Sequence, residues 1–173
     1  YSIPLIAIPF SDDMKLDVNK FLKESKNADI LYLDSPNNPT GFQFSKIELQ
    51  KLIKSFDGLI IIDEAYGEFS DYSLSSLVKT QSNLIVVRTL SKSFGMAGIR
   101  LGYFIANKTF TDTFLNVLQY PYPLSTITIE SGILALQKVN LMDNATKIIK
   151  IERKRIIETL QKFDTFEVFD SKA

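Results

Sequence analysis

The sequence contains no cysteine and no histidine. Without cysteine there can be no disulfide, no thiolate nucleophile and no cysteine-bound zinc. Without histidine there is no Ser-His-Asp triad, and the commonest metal ligand and acid/base group is missing. Charge of one sign is lacking too: 20 Lys and Arg balance 20 Asp and Glu, so the basic excess of a nucleic-acid binder is absent. No apolar run approaches the roughly 20 residues that span a bilayer. The first residues, Tyr1-Ser2-Ile3-Pro4-Leu5, carry no basic n-region of a signal peptide. Any catalysis must therefore come from lysine, tyrosine, carboxylates or a borrowed cofactor.

What is present is a soluble globular composition, 45% hydrophobic and 23% charged over 173 residues, enough chain for one domain with a real core. Three short apolar runs each end in polar groups. Ile30-Leu31-Tyr32-Leu33 leads into Asp34-Ser35-Pro36-Asn37-Asn38-Pro39-Thr40-Gly41, and Leu59-Ile60-Ile61-Ile62 into Asp63-Glu64-Ala65-Tyr66. Leu84-Ile85-Val86-Val87 leads into a loop holding Ser91 and Lys92. In a parallel α/β sheet the C-terminal ends of strands line up along one edge, where ligands bind. A lysine, an aspartate, an amide and small hydroxyls gathered there point to an enzyme with a covalently held cofactor.

The pattern predicts strands over residues 4–9, 29–33, 58–63, 83–89, 100–106 and 166–169, and a polar turn at 11–13. Helices are expected over 17–26, from the capping-box sequence Ser45-Lys46-Ile47-Glu48 through Ile47, Leu49, Leu52 and Ile53, and over 109–119, 128–138 and 145–163. The run at 58–63 is continuous enough to predict a strand buried on both faces. Alternating strands and helices give an α/β fold, a three-layer αβα arrangement around a mainly parallel sheet. The expected division is a major domain at 1–127 and, at 128–173, a helical connection opening a small C-terminal α+β domain.

Asn38-Pro39-Thr40-Gly41, Asp63-Glu64-Ala65-Tyr66, and Ser91-Lys92 with Arg100 eight residues on resemble the fold-type I aminotransferases that use pyridoxal 5'-phosphate (PLP). The stretch from Arg88 to Tyr103, with Pro121-Tyr122-Pro123-Leu124-Ser125, is most similar to the histidinol-phosphate aminotransferase branch. The resemblance covers nearly the whole chain. It implies transamination between histidinol phosphate and 2-oxoglutarate in histidine biosynthesis, a cytoplasmic homodimer, and as partners only a small-molecule amino donor and a 2-oxo acid acceptor, with no nucleic acid, membrane or metal. A related PLP enzyme, such as a threonine-phosphate decarboxylase or another aminotransferase, is the alternative, as is a non-catalytic relative. The resemblance also implies a fragment, since a glycine-rich phosphate loop upstream and a substrate-carboxylate arginine downstream have no counterpart.

Carried onto these residues, the resemblance makes Lys92 the amine that forms the Schiff base and shuttles the proton; its bland alternative is a solvated loop lysine. Asp63 would pair with the pyridinium nitrogen, or else cap a helix or join a buried salt bridge. Asn38 and Tyr66 would bond the phenolic oxygen, against turn chemistry for the first and a core edge for the second. Thr89, Ser91 and Arg100 would hold the phosphate, with glycines 95, 98 and 102 allowing close backbone approach. Glu64 is expected to point away from the site. Tyr32, Tyr120 and Tyr122 are expected in core or interface packing rather than in the pocket wall.

Overall fold

The computed structural model describes residues 3–11 and 15–173. The expected turn at Asp12 and Asp13 lies outside them. Four strands form one sheet in sequential order, β1 (Ile30–Asp34), β2 (Leu59–Asp63), β3 (Leu84–Thr89) and β4 (Gly102–Ile105). β1, β2 and β3 are parallel and β4 runs antiparallel to β3. The α/β fold with a mainly parallel sheet flanked by helices is thus as expected.

Helix α1 (Val18–Glu24) starts where Asp17 caps it by accepting from the Lys20 N–H at 3.0 Å, an N-cap worth about 1 kcal/mol. Helix α2 (Lys46–Ser55) begins at the expected box, but the Ser45 side chain makes no capping bond and Ile47 is exposed. Its buried stripe is Leu49, Leu52 and Ile53. This stripe packs with Phe21 on the sheet face formed by Leu31, Leu33, Ile60, Ile62, Leu84 and Val86. Each such side chain contributes roughly 1.5–3 kcal/mol on full burial, so this face holds the core.

The opposite face is covered differently. β2 is buried at alternate positions only, Ile60 and Ile62 fully, Leu59 and Ile61 partly, which corrects the expectation of a strand buried on both sides. Ile30 and Tyr32 on β1 are exposed on that second face. Over β4 it is closed by Phe104 stacking edge-on against Phe110 of α3 (Lys108–Thr113) and Phe114 of the π-helical turn Phe114–Leu118. The single helix expected over 109–119 is therefore two short pieces.

Helices α4 (Thr126–Gln137) and α5 (Val139–Leu160) follow. α5 begins six residues before the expected start at 145 and is tied to the sheet domain by Lys150 Nζ on the Ser70 carbonyl at 3.1 Å and Arg153 Nη1 on the Phe69 carbonyl at 3.2 Å. Its Ile148, Ile149 and Ile156 are exposed. Residues 4–9 and 166–169, both expected as strands, form none. No described helix is long and apolar enough to cross a membrane.

Candidate active site

Strand alternation decides which polar group faces where. Asp34 pairs with Asp63 in register, and Asp63 pairs with Val87. Residues two apart share a face, so Asp63 emerges on the open face and its neighbour Glu64 turns into the other side. There Glu64, 2% exposed, pairs with Arg88 Nη2 at 2.7 Å and accepts from the Leu74 N–H and the Ser73 hydroxyl, both at 2.7 Å. Arg88 Nη1 also reaches Glu68 Oε1 at 2.8 Å. Burial works against the guanidinium charge, but Glu64 and Glu68 outweigh it and raise Arg88 above its ordinary value. Glu64 thus points away from the site, as expected, and its ion pair joins the ends of β2 and β3. Arg88→Ala is expected to cost about 3–5 kcal/mol of stability by stranding a buried carboxylate. Chemical denaturation of the full-length protein measures this, and a loss below about 1 kcal/mol would contradict it.

On the open face a cavity of about 340 Å³ lies beyond the strand ends, lined by Tyr32, Asn38, Asp63, Tyr66 and Lys92 among others. Asp63 Oδ1 accepts from the Ala65 N–H at 2.8 Å and Oδ2 from the Tyr32 hydroxyl at 2.6 Å. Partial burial and then the hydrogen bond to Asp63 raise the Tyr32 phenol above the ordinary tyrosine value. Asn38 donates from its backbone N–H to Asp34 Oδ2 at 2.9 Å and from Nδ2 to Tyr66 Oη at 3.4 Å. The Lys92 amine sits over the Tyr66 ring, 5.1 Å from its centroid.

The loop carrying Lys92 is built by its own backbone. Leu90 N–H binds the Leu101 carbonyl, Met96 N–H the Leu90 carbonyl and Gly95 N–H the Lys92 carbonyl. Gly95 has φ +66, a conformation glycine adopts without steric cost. At Gly102 a Cβ would lie 3.0 Å from the Arg88 carbonyl, and at Gly95 and Gly98 the space within 4 Å is open.

Asn38, Asp63, Tyr66 and Lys92 are therefore brought together around one cavity, while Thr89 at the end of β3 and Ser91 and Arg100 in the loop after it do not line it. Thr89 Oγ1 donates to the Leu101 carbonyl at 3.3 Å and accepts from the Ser91 N–H at 3.0 Å, so its proton is committed to shaping the loop. Arg100 adopts a left-handed conformation, φ 53 and ψ 44, with Nη1 on the Ala97 carbonyl at 3.1 Å. For a residue other than glycine that costs roughly 1–2 kcal/mol, a kind of strain that collects at functional loops. Tyr120 and Tyr122, expected in core or interface packing, are exposed and so lie outside the core of the described residues. Tyr32, also assigned to packing, instead lines the cavity and bonds Asp63; its signal was a tyrosine inside an apolar run, two residues before the aspartate that ends the strand.

The sequence profile of the family described as aminotransferase class I and II matches residues 1–173. The chain belongs to that family. It is 38% identical to the histidinol-phosphate aminotransferase of Pyrococcus furiosus over 90% of this chain and 46% of that protein. The histidinol-phosphate aminotransferase structure from Clostridium acetobutylicum superposes with a TM-score of 0.86 at 30% identity, covering 95% of this chain and 51% of that one. The Sinorhizobium meliloti histidinol-phosphate aminotransferase, solved in complex with pyridoxal-5'-phosphate, superposes at 0.81 with 26% identity over 92% of this chain and 45% of that one. This aminotransferase chain spans about half the length of the curated relatives it matches.

Proposed function

We propose that the protein to which this chain belongs is a PLP-dependent aminotransferase acting on histidinol phosphate and 2-oxoglutarate, as a cytoplasmic homodimer. The observation that carries the reading is that Lys92 and Asp63 line one cavity, Asp63 at the end of β2 and Lys92 in the loop after β3. The cavity, about 340 Å³, falls within the range of roughly 300–1,000 Å³ for small-molecule sites. Its donor set also fits the cofactor: an amine, a carboxylate with acceptor capacity left after two hydrogen bonds, and an amide beside a phenol. The division into a partial major domain at 1–127 and a partial small domain from 128 belongs to the same proposal.

When bound, PLP supplies the electron sink that withdraws electrons from the substrate Cα. Asp63 would hold the ring nitrogen, oriented by the Ala65 N–H and the Tyr32 hydroxyl. Asn38 and Tyr66 would donate to the ring oxygen. Ser91 and Arg100 would hold the phosphate, Arg100 with a two-pronged guanidinium fork, and Thr89 would serve it by fixing the Ser91 backbone. Lys92 would bond the cofactor through Nζ and move the proton at the substrate Cα, a role that needs an amine rather than a fixed cation.

The full-length protein, loaded with PLP and given histidinol phosphate and 2-oxoglutarate, is expected to form glutamate. Release of carbon dioxide from threonine phosphate with no glutamate formed from histidinol phosphate would overturn the substrate assignment.

A further inference from the structure

We propose that Tyr32 is a positioning residue: its hydroxyl fixes the orientation of the Asp63 carboxylate that receives the cofactor ring. The proposal rests on the reading of Asp63 given above. The register explains the contact. Tyr32 pairs with Ile61 and Asp34 with Asp63, so Tyr32 and Asp63 are diagonal neighbours on one sheet face. Diagonal neighbours on one sheet face lie within reach of a long aromatic side chain. The hydroxyl arrives at Asp63 Oδ2 at 2.6 Å, the short distance expected of a hydroxyl on a charged acceptor.

Within the described residues Tyr32 lies outside the hydrophobic core, and core packing does not ask for a hydroxyl at this position. Asp63, by contrast, has reason to need it. Asp34 stands beside Asp63 in register on the same face, and two neighbouring carboxylates repel. Asp34 is held by Asn37 Nδ2 at 2.8 Å and the Asn38 N–H at 2.9 Å. The only donors recorded to Asp63 among the described residues are the Ala65 N–H, which grips Oδ1, and Tyr32, which grips Oδ2. Without Tyr32 the carboxylate is free to turn about its last torsion, away from Asp34 and from the direction a ring nitrogen needs. With both donors in place it keeps acceptor sites for a third.

The test is a double-mutant cycle in the full-length protein: wild type, Tyr32→Phe, Asp63→Asn and the pair. Three quantities are read: the unfolding equilibrium of the apoprotein, the dissociation constant for PLP, and kcat and KM for the amino donor. Tyr32→Phe is expected to weaken PLP binding about tenfold and lower kcat about tenfold with KM unchanged, as suits one hydrogen bond to a charged group. In the Asp63→Asn background the same change is expected to add less than about twofold, and the apoprotein cycle to show coupling of about fivefold or more in the unfolding constant. Equal effects of Tyr32→Phe in both backgrounds would overturn the proposal. A Tyr32→Phe protein indistinguishable from wild type, with Asp63→Asn impaired, would overturn it while leaving the role of Asp63 standing. Apoprotein coupling with PLP binding and rate untouched by Asp63→Asn would make the bond structural and overturn both.

Discussion

Lys92→Ala is expected to abolish covalent attachment of PLP and to lower transamination by roughly 10⁴-fold or more. Loss of a positioned proton-transfer group alone costs about 10²–10⁴-fold, and loss of the covalent step adds to it. Lys92 emerges from a loop pinned at Leu90, Gly95 and Met96 by its own backbone bonds, and among the described residues it is the one lysine that lines the cavity with Asp63. In the wild-type full-length protein, borohydride reduction and peptide mapping should place the reduced cofactor on the peptide carrying Lys92. In Lys92→Ala no peptide should be labelled. A label on any other lysine would remove Lys92 from this role.

Asp63→Asn is expected to lower kcat by about 10²–10³-fold, the usual result of removing one preorganised electrostatic partner, while the cofactor still binds and Lys92 is still labelled. The local structure should survive. An asparagine oxygen can accept from the Ala65 N–H as Asp63 Oδ1 does, which holds the strand end in place while the charge-assisted bond from the Tyr32 hydroxyl is lost. What the amide cannot do is balance a cationic ring nitrogen. Steady-state rates measured beside borohydride labelling separate the two effects. Near-normal turnover would show that Asp63 only shapes the strand end.

The strands that deliver the site were legible because a parallel strand reads as an unbroken apolar run with an abrupt polar end. Asp63 and Lys92 stand at or just past such ends. The opposite senses of Asp63 and Glu64 follow from the two-residue period alone. The contact between Tyr32 and Asp63 was not legible, because it depends on the register between β1 and β2, which no local pattern encodes. The full burial predicted for β2 failed for a related reason: what covers the second face is a property of the rest of the chain, and over β1 and β2 that face lies open. Residues 4–9 have the apolar content of a strand but find no ladder partner among the described residues, and a ladder partner is something apolar content does not encode. Ser45 marks the start of α2 correctly although its hydroxyl caps nothing, since the turn into the helix needs only the backbone.

Sequences drifting away from this one would meet a barrier at Arg88. Losing its charge first strands Glu64, which is 2% exposed; losing Glu64 first leaves the guanidinium on Glu68 and the Ser73 hydroxyl. Replacing the whole set with apolar side chains of similar volume can be close to neutral, but a path that removes Arg88 while Glu64 remains passes through a buried carboxylate without its cation. Gly67 is caught in the same trap, because a Cβ there would lie 2.8 Å from the Arg88 guanidinium carbon. These positions should therefore change together or stay as they are, a unit of inheritance beneath the site whose makeup reflects the order of past mutations as much as the chemistry above it.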